Sequence, residues 1–284
     1  LAHNMTSTTS APAVTASSAQ TDRFVHERLP GADQWPQLIY DAPELKIPAQ
    51  ANLVAALLAR ASQQGWSARP FLRTEHASLS YAEAGERIRR MAQVLTEDHG
   101  LVPGNRVLLR GGNSINMALA WLGVVHAGLV AVTTMPLLRA KELAEVILKA
   151  EPALALCDGK LLAELQLAQA QQPQLKTVIP FNQPDNTAGL EALAAAKNGL
   201  AAACPTSADD IAILAFTSGT TGSPKAAVHT HRDVLAYCET WPRHVLRATP
   251  DDIVMGSPPL AFTFGLGGLL IFPMWAGASV LFPS

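Results

Sequence analysis

Apolar residues along this chain follow two alternating spacings. The runs over 106–110, 129–134, 153–157 and 176–179 are strand-length and rich in apolar residues. Between them lie 114–126, 139–150 and 160–170, which have helical spacing; in the second, Leu143, Val146 and Ile147 fall on one face. Upstream, Leu53, Val54, Leu57 and Leu58 give a helix closed by Gly65, and 71–73 reads as a short strand. Ser80 and Glu83 have the spacing of a capping box, in which each satisfies a backbone N–H of the other's turn. The helix they start carries Ile88, Met91, Ala92 and Leu95 on its buried stripe and stops at Gly100. Downstream, 211–216 and 226–229 read as paired strands, 233–241 as a short helix, 252–256 as a strand, 264–276 as a glycine-rich helix and 280–282 as a last strand. Strands this rich in apolar residues are buried on both faces, and strands alternating with helices are the pattern of an α/β fold. The expectation is a doubly wound, mostly parallel sheet.

The first residues lack such a pattern. The stretch 5–21 is rich in Ser, Thr, Ala, Pro and Gln, without the basic start and apolar core of a signal peptide. It predicts a disordered tail over 1–23, with order beginning near Phe24. Residues 24–284 would then form one unit, with 50–205 a first α/β subdomain and 206–284 the start of a second. The alanine-rich 181–206 reads as a surface connection. Two uncharged stretches, 111–138 and 253–284, invite comparison with membrane spans. Polar side chains such as Asn113, Asn116 and His126 interrupt the first, and Pro258, Pro259 and Pro273 cut the second. Its longest proline-free part, 260–272, is shorter than the ~20 residues a spanning helix needs. Both read as buried helix-plus-strand units, and no membrane partner is expected.

Composition narrows the chemistry further. A chain of 284 residues can bury a large core, and 21 Lys and Arg against 23 Asp and Glu point to neither nucleic acid nor an anionic membrane as a partner. Cys157, Cys204 and Cys238 are scattered and lack metal-ligand spacing; they read as reduced thiols of a cytoplasmic protein. His229 and His231 lie two apart with no third ligand in view, so no metal site is assigned, and a capping role at the base of the following helix is expected.

The densest chemistry is Thr217-Ser218-Gly219-Thr220-Thr221-Gly222-Ser223-Pro224-Lys225, directly after the apolar run 211–216. Glycines let backbone N–H groups approach a phosphate, hydroxyls donate hydrogen bonds and the ammonium supplies countercharge. The spacing is not that of a Walker A loop, because Ala226, Ala227 and Val228 follow Lys225 and look like another strand. The other reading of such a stretch is a flexible linker.

This segment resembles the phosphate-binding loop of the adenylate-forming superfamily, usually written Thr-Ser-Gly-Ser/Thr-Thr-Gly-x-Pro-Lys-Gly. The departure is Ala226 in place of glycine, tolerable if that residue keeps a negative φ. The likeness extends from about Asn52 to the end, through Pro103-Gly104-Asn105-Arg106, Asn113-Ser114 and Leu122 to Gly128. Within the superfamily the chain is similar to benzoate-CoA and 2-aminobenzoate-CoA ligases, notably over 135–143, 244–252 and 257–268. The resemblance implies the N-terminal domain of an acyl-CoA synthetase, incomplete at its C-terminus. It also implies ATP-dependent conversion of an aromatic carboxylate to an acyl adenylate and then a CoA thioester, with Mg²⁺. Thr217, Ser218, Gly219, Thr220, Thr221, Gly222 and Lys225 would hold the ATP phosphates. Ala261, Phe262, Phe264 and Gly265 fall in the acyl-pocket motif, where the two phenylalanines would wall a ring acid; ordinary core packing is the competing reading. The adenine motif, the ribose aspartate and the catalytic lysine would lie C-terminal to Ser284, so no catalytic residue is assigned here. The chain then reads as part of a ligase, from a truncated gene, a split gene or an excised piece, whose partner is the missing C-terminal half. An unfinished sheet would leave apolar surface near Phe272, Trp275 and Phe282, favouring self-association. Two alternatives stay open: an adenylate-former for another acid, and an inactive remnant acting only as a binding module.

Overall fold

A computed structural model of the chain describes residues 16–217 and 224–283. In chain order its main elements are α1 (Leu53–Gln63), β1 (Pro70–Arg73), β2 (Ser78–Ser80), α2 (Tyr81–Gln93), β3 (Arg106–Arg110), α3 (Ile115–His126), β4 (Val130–Thr134), α4 (Ala140–Ala150), β5 (Leu154–Asp158), α5 (Leu162–Gln171) and β6 (Val178–Phe181). There follow α6 (Leu190–Ala195), β7 (Ile211–Thr217), β8 (Lys225–Thr230), α7 (His231–Thr240), β9 (Ile253–Val254), α8 (Thr263–Leu266), α9 (Phe272–Ala276) and β10 (Ser279–Leu281). A π-helical turn over Gly267–Ile271 makes α8 and α9 one continuous path, so the expected glycine-rich helix is present with an irregular middle.

Six strands form one sheet in the order β6-β5-β3-β4-β7-β8, parallel except for the β7–β8 hairpin. Its side chains alternate between two cores, as the pleat requires. From β3, Val107 and Leu109 face a core built with α1, α2 and α3, while Leu108 faces one built with α4 and α5. Burying each such residue stabilises by about 1.5–3 kcal/mol, and a slip of one residue would exchange the two faces of every strand. The expected doubly wound α/β fold is therefore the observed one.

The second sheet has the order β2-β1-β10-β9 and shares the α1–α3 core through Phe71, Leu72, Val280 and Phe282. The expected division at 205/206 does not coincide with a sheet boundary. The six-stranded sheet takes β3 to β6 from before that point and β7 and β8 from after it, and the four-stranded sheet joins β1 and β2 to β9 and β10. Pairing partners far apart in sequence decided this, and local pattern carries no record of them.

Three other expectations change. Order does not begin at Phe24. Ala19 N–H donates to Asp210 Oδ2 at 2.9 Å, and Ser18 donates to the same carboxylate. The buried Gln20 side chain accepts from Ile211 N–H at 3.1 Å and donates to Ile211 O at 2.7 Å, as a neighbouring strand would. Asp22 pairs with Arg106 and Asn105. The chain crosses Gly104 so closely that a Cβ there would lie 2.2 Å from Asp22 O, and φ is +92°. Second, the 181–206 connection contains α6, with Leu190 buried. Third, Trp275 and Phe282 are buried and Phe272 is half-buried, so the expected apolar patch is absent from that place. Trp275 Nε1 donates to Glu239, and the Arg60 guanidinium stacks over its ring. No helix among the described residues is long and apolar enough to cross a membrane.

Candidate functional site

The sequence places the phosphate chemistry between β7 and β8, and the register shows how the two legs meet. Phe216 pairs with Ala226 and Thr217 with Lys225, the last pair before the connection. Ser218, Gly219, Thr220, Thr221 and Gly222 lie outside the described residues. Lys225 is exposed at the hairpin mouth. Ala226 is an ordinary strand residue and is not among the described residues with positive φ, so the missing glycine needs no special backbone there.

Beside this mouth, at the carboxyl ends of β4 and β7, lies a cavity of about 340 Å³. Such ends are where open α/β sheets receive ligands, and small-molecule sites occupy roughly 300–1,000 Å³. Its walls include Thr133, Thr134 and Met135, Glu142 and Glu145 of α4, Phe216 and Thr217 of β7, and Pro224, Ala261 and Phe262. Of the expected acyl-pocket residues, Ala261 is buried and Phe262 is 46% exposed at the cavity wall. Phe264, expected beside it, is 77% exposed and lines no part of this cavity. Its neighbour Gly265 is pressed against the preceding turn: a Cβ at Gly265 would lie 2.1 Å from Pro259 O. Gly265 is thus a packing position rather than a wall.

Side chains to which the sequence reading gave no role in the site hold these walls. Thr133 Oγ1 donates to Ala261 O at 2.8 Å. Asn113, in the turn between β3 and α3, accepts from Leu260 N–H at 2.8 Å and donates to Pro258 O at 2.9 Å, so the 258–261 segment is pinned to that turn and to β4. The buried Arg110, at the end of β3, donates to Met135 O, Pro136 O and Leu138 O at 2.9–3.1 Å. It shapes the 135–138 lip of the cavity, and burial lowers its pKa. Arginine at the end of a strand gives no sequence signal of this role, because its acceptors are backbone carbonyls of another segment.

The two histidines separate. His229 lies on β8 in a small apolar cavity with Tyr237, Thr263, Leu266 and Phe272. His231 is fully buried, and its Nδ1 accepts from Leu53 N–H at 3.0 Å, satisfying a free donor at the start of α1. Burial alone brings its pKa down to about 3, so it is neutral. Thr230 and Asp233 form the capping box of α7. Among the described residues no group of three His, Cys, Asp or Glu is placed to hold a metal. Burial raises the thiols of Cys157 and Cys204 to about 12 and 11 and pushes that of Cys238 up as well, which leaves all three protonated and poor nucleophiles.

A second, larger cleft of about 490 Å³ lies between α2, α3 and α6. It is away from the hairpin, and its Arg90 is spent on Glu86 and Ala195 O. The 340 Å³ cavity is the better candidate because Thr217 and Pro224 belong to both it and the β7–β8 hairpin, where the sequence reading expects the phosphates.

Known proteins resemble this chain in sequence and fold. Over 239 residues the chain is 28% identical to benzoate-CoA ligase of Thauera aromatica, covering 84% of this chain and 45% of that protein. It is 28% identical to anthranilate-CoA ligase of Pseudomonas aeruginosa over 187 residues, 64% of this chain and 35% of the relative. A benzoate-CoA ligase structure from Burkholderia xenovorans superposes with a TM-score of 0.73 at 26% identity, covering 82% of this chain and 45% of the other. An anthranilate-CoA ligase solved with anthranoyl-AMP shares the fold, with a TM-score of 0.78 over 86% of this chain and 46% of that one. The chain spans about half the length of the curated relatives it matches. The profile of the AMP-binding enzymes matches residues 59–284, and with the hairpin and the parallel sheet in place the chain belongs to the AMP-binding enzyme family.

Proposed function

We propose that this chain supplies the phosphate-holding loop and one wall of the acid site in an enzyme that activates an aromatic carboxylate of the benzoate or 2-aminobenzoate type. The observation that carries this reading is the shared border of the hairpin mouth and the cavity. Thr217 and Pro224 line the cavity, Thr217 pairs with Lys225, and Phe216, Ala261 and Phe262 supply apolar wall beside them. A ring seated against Phe262 would keep its carboxylate close to a phosphate held by the loop. In that reaction a carboxylate oxygen attacks the α-phosphorus of ATP and pyrophosphate leaves. The CoA thiol then attacks the acyl carbon and AMP leaves.

Within this chain the role is positioning and charge neutralisation. Lys225 and the hydroxyl of Thr217 would meet the phosphates, with Ser218, Thr220, Thr221 and the backbone N–H groups of Gly219 and Gly222 assigned to the same task by the sequence motif. Mg²⁺ would neutralise charge on the triphosphate it accompanies. Glu142 and Glu145 line the cavity beside the mouth, but among the described residues no group of three His, Cys, Asp or Glu is placed to hold a metal, so no protein ligand is assigned to it. The adenine, ribose and CoA contacts and the catalytic lysine fall to the C-terminal half, which is the partner this reading requires; a cytoplasmic setting fits these substrates.

Acid-dependent exchange of pyrophosphate into ATP tests the reading. This chain alone should show no exchange. In a complete ligase carrying it, benzoate and 2-aminobenzoate should exchange faster than hexanoate or palmitate. Lys225→Ala should raise the ATP requirement about tenfold, as expected for losing a charge-assisted contact of roughly 1.5–3 kcal/mol partly screened by solvent. Fastest exchange with palmitate would overturn the aryl assignment, and an unaltered ATP requirement in the variant would remove the loop from the mechanism.

A further inference from the structure

Most polar groups on the wall of the 340 Å³ cavity are spent inside the fold, and one is not. The Thr133 hydroxyl donates to Ala261 O and that of Thr134 to Leu109 O at 3.2 Å. The exposed Glu142 accepts from Arg139 N–H at 3.1 Å, at the start of α4. Glu145, three residues further along that helix, is partly buried and lines the same cavity. Among the described residues no hydrogen bond or ion pair reaches its carboxylate.

Cations on the neighbouring elements are engaged elsewhere. Lys149 has the spacing of a helical ion pair with Glu145, yet its ammonium donates to Pro224 O. Arg139 pairs with Glu164, and the buried Arg110 donates to the carbonyls of the 135–138 lip. Much of the remaining wall is apolar, with Met135, Leu138, Val146 and Phe216 among its residues. A carboxylate held partly out of water beside such surface loses hydration without gaining a partner. A ligand that donates a hydrogen bond to it restores the loss. The same charge repels a second carboxylate brought close to it.

We infer that Glu145 determines which ring acid the cavity prefers: one that bears an amino or hydroxyl donor meta or para to its carboxylate. The donor gives its N–H or O–H to Glu145, and like-charge repulsion keeps the acid's own carboxylate away from α4. An ortho donor would bring the two carboxylates together and gains less. This rests on the reading of the cavity as the acid site and is independent of the phosphate loop.

Ligand-observed nuclear magnetic resonance titration of the purified chain tests it. The acids are 3- and 4-aminobenzoate, 3- and 4-hydroxybenzoate, and 3- and 4-methylbenzoate, the last pair being similar in size and lacking the donor. At one of the two ring positions a donor-bearing acid should bind roughly three- to tenfold more tightly than its methyl counterpart, the scale of a partly solvated hydrogen bond to a charge. The amino and hydroxyl acids show which donor is taken. Glu145→Ala should bring that ratio close to one. Glu145→Gln, which keeps an acceptor and loses the charge, should give an intermediate ratio. Phe262→Ala should weaken donor-bearing and methyl acids alike. Equal binding of both kinds by the wild-type chain, or a preference that survives Glu145→Ala, would overturn the role given to Glu145. If Phe262→Ala still weakens binding in that case, the acid-site reading stands. Absence of binding by any ring acid, or binding that neither Phe262→Ala nor Glu145→Ala changes, would overturn both.

Discussion

His231 and His126 show how much one buried side chain controls. Burial lowers the pKa of His231 to about 3, and burial followed by the charge of Arg89 lowers that of His126 to about 4. In the unfolded chain both titrate near 6.5. Below that value the unfolded state takes up protons that the folded state refuses, so the stability they contribute is complete above pH 6.5 and is lost as the pH falls toward 4. The slope should approach about 1.4 kcal/mol per pH unit for each histidine. The urea midpoint should therefore drop steadily between pH 6.5 and 5, above the range in which most carboxylates titrate. His231→Asn places an amide oxygen near the position of Nδ1 and cannot titrate. It should retain the acceptor for Leu53 N–H and reduce the slope by about one proton; an unchanged slope would mean that His231 is charged in the fold.

At the scale of elements, the segment before Phe24 behaves as part of the sheet. Gln20 satisfies both backbone groups of Ile211, and Asp22 neutralises the largely buried Arg106, whose guanidinium also stacks on Phe24. A chain beginning at Phe24 would leave Asp210 without its contacts to Ser18 and Ala19 and Arg106 without its carboxylate. Uncompensated buried charge of this kind costs about 3–5 kcal/mol. Chemical unfolding should show a loss of that order, and equal stability of the two chains would restore the reading of 1–23 as a tail. The capping boxes at Ser80 and Thr230 are the opposite case, since both partners lie within four residues and were plain in the sequence at Ser80 and Glu83.

At the scale of the molecule, two sheets draw on one core. Phe71 and Val280 of the smaller sheet, and Val107 and Leu109 of the larger, belong to the same buried cluster. Domains divided at 205/206 would unfold in two steps. A shared core predicts one transition, with tryptophan fluorescence and far-ultraviolet circular dichroism giving coincident curves. Two separated midpoints would show that the sheets are independent. Exposed apolar residues lie elsewhere than the sequence suggested, among them Tyr237 and Trp241 at the end of α7, Ile253 and Met255 at the edge strand β9, and Phe264 on α8. Any self-association of this chain should depend on exposed positions such as these rather than on the buried Trp275 or Phe282.

Much of what depends on spacing along the chain was legible before any coordinates. Strand and helix order followed from apolar periods of two kinds, the Ser80 cap from a three-residue interval, and the β7–β8 pairing from two apolar runs on either side of Pro224-Lys225. These are local signals, because a strand, a cap or a tight loop is specified by residues close in sequence. What required the fold joins residues far apart. Gln20 meets Ile211, Arg110 meets the carbonyls of 135–138, and Phe71 shares a core with Val280. Phe262 and Phe264 looked alike in the sequence, yet only Phe262, at the N-cap of α8, lines the cavity, while Phe264 within the helix is exposed. Lys149 had the periodicity of an ordinary solvent-facing helical lysine. Only the packing of α4 beside β7 and β8 brought its ammonium to Pro224, and periodicity reports which face a residue occupies without reporting what stands opposite.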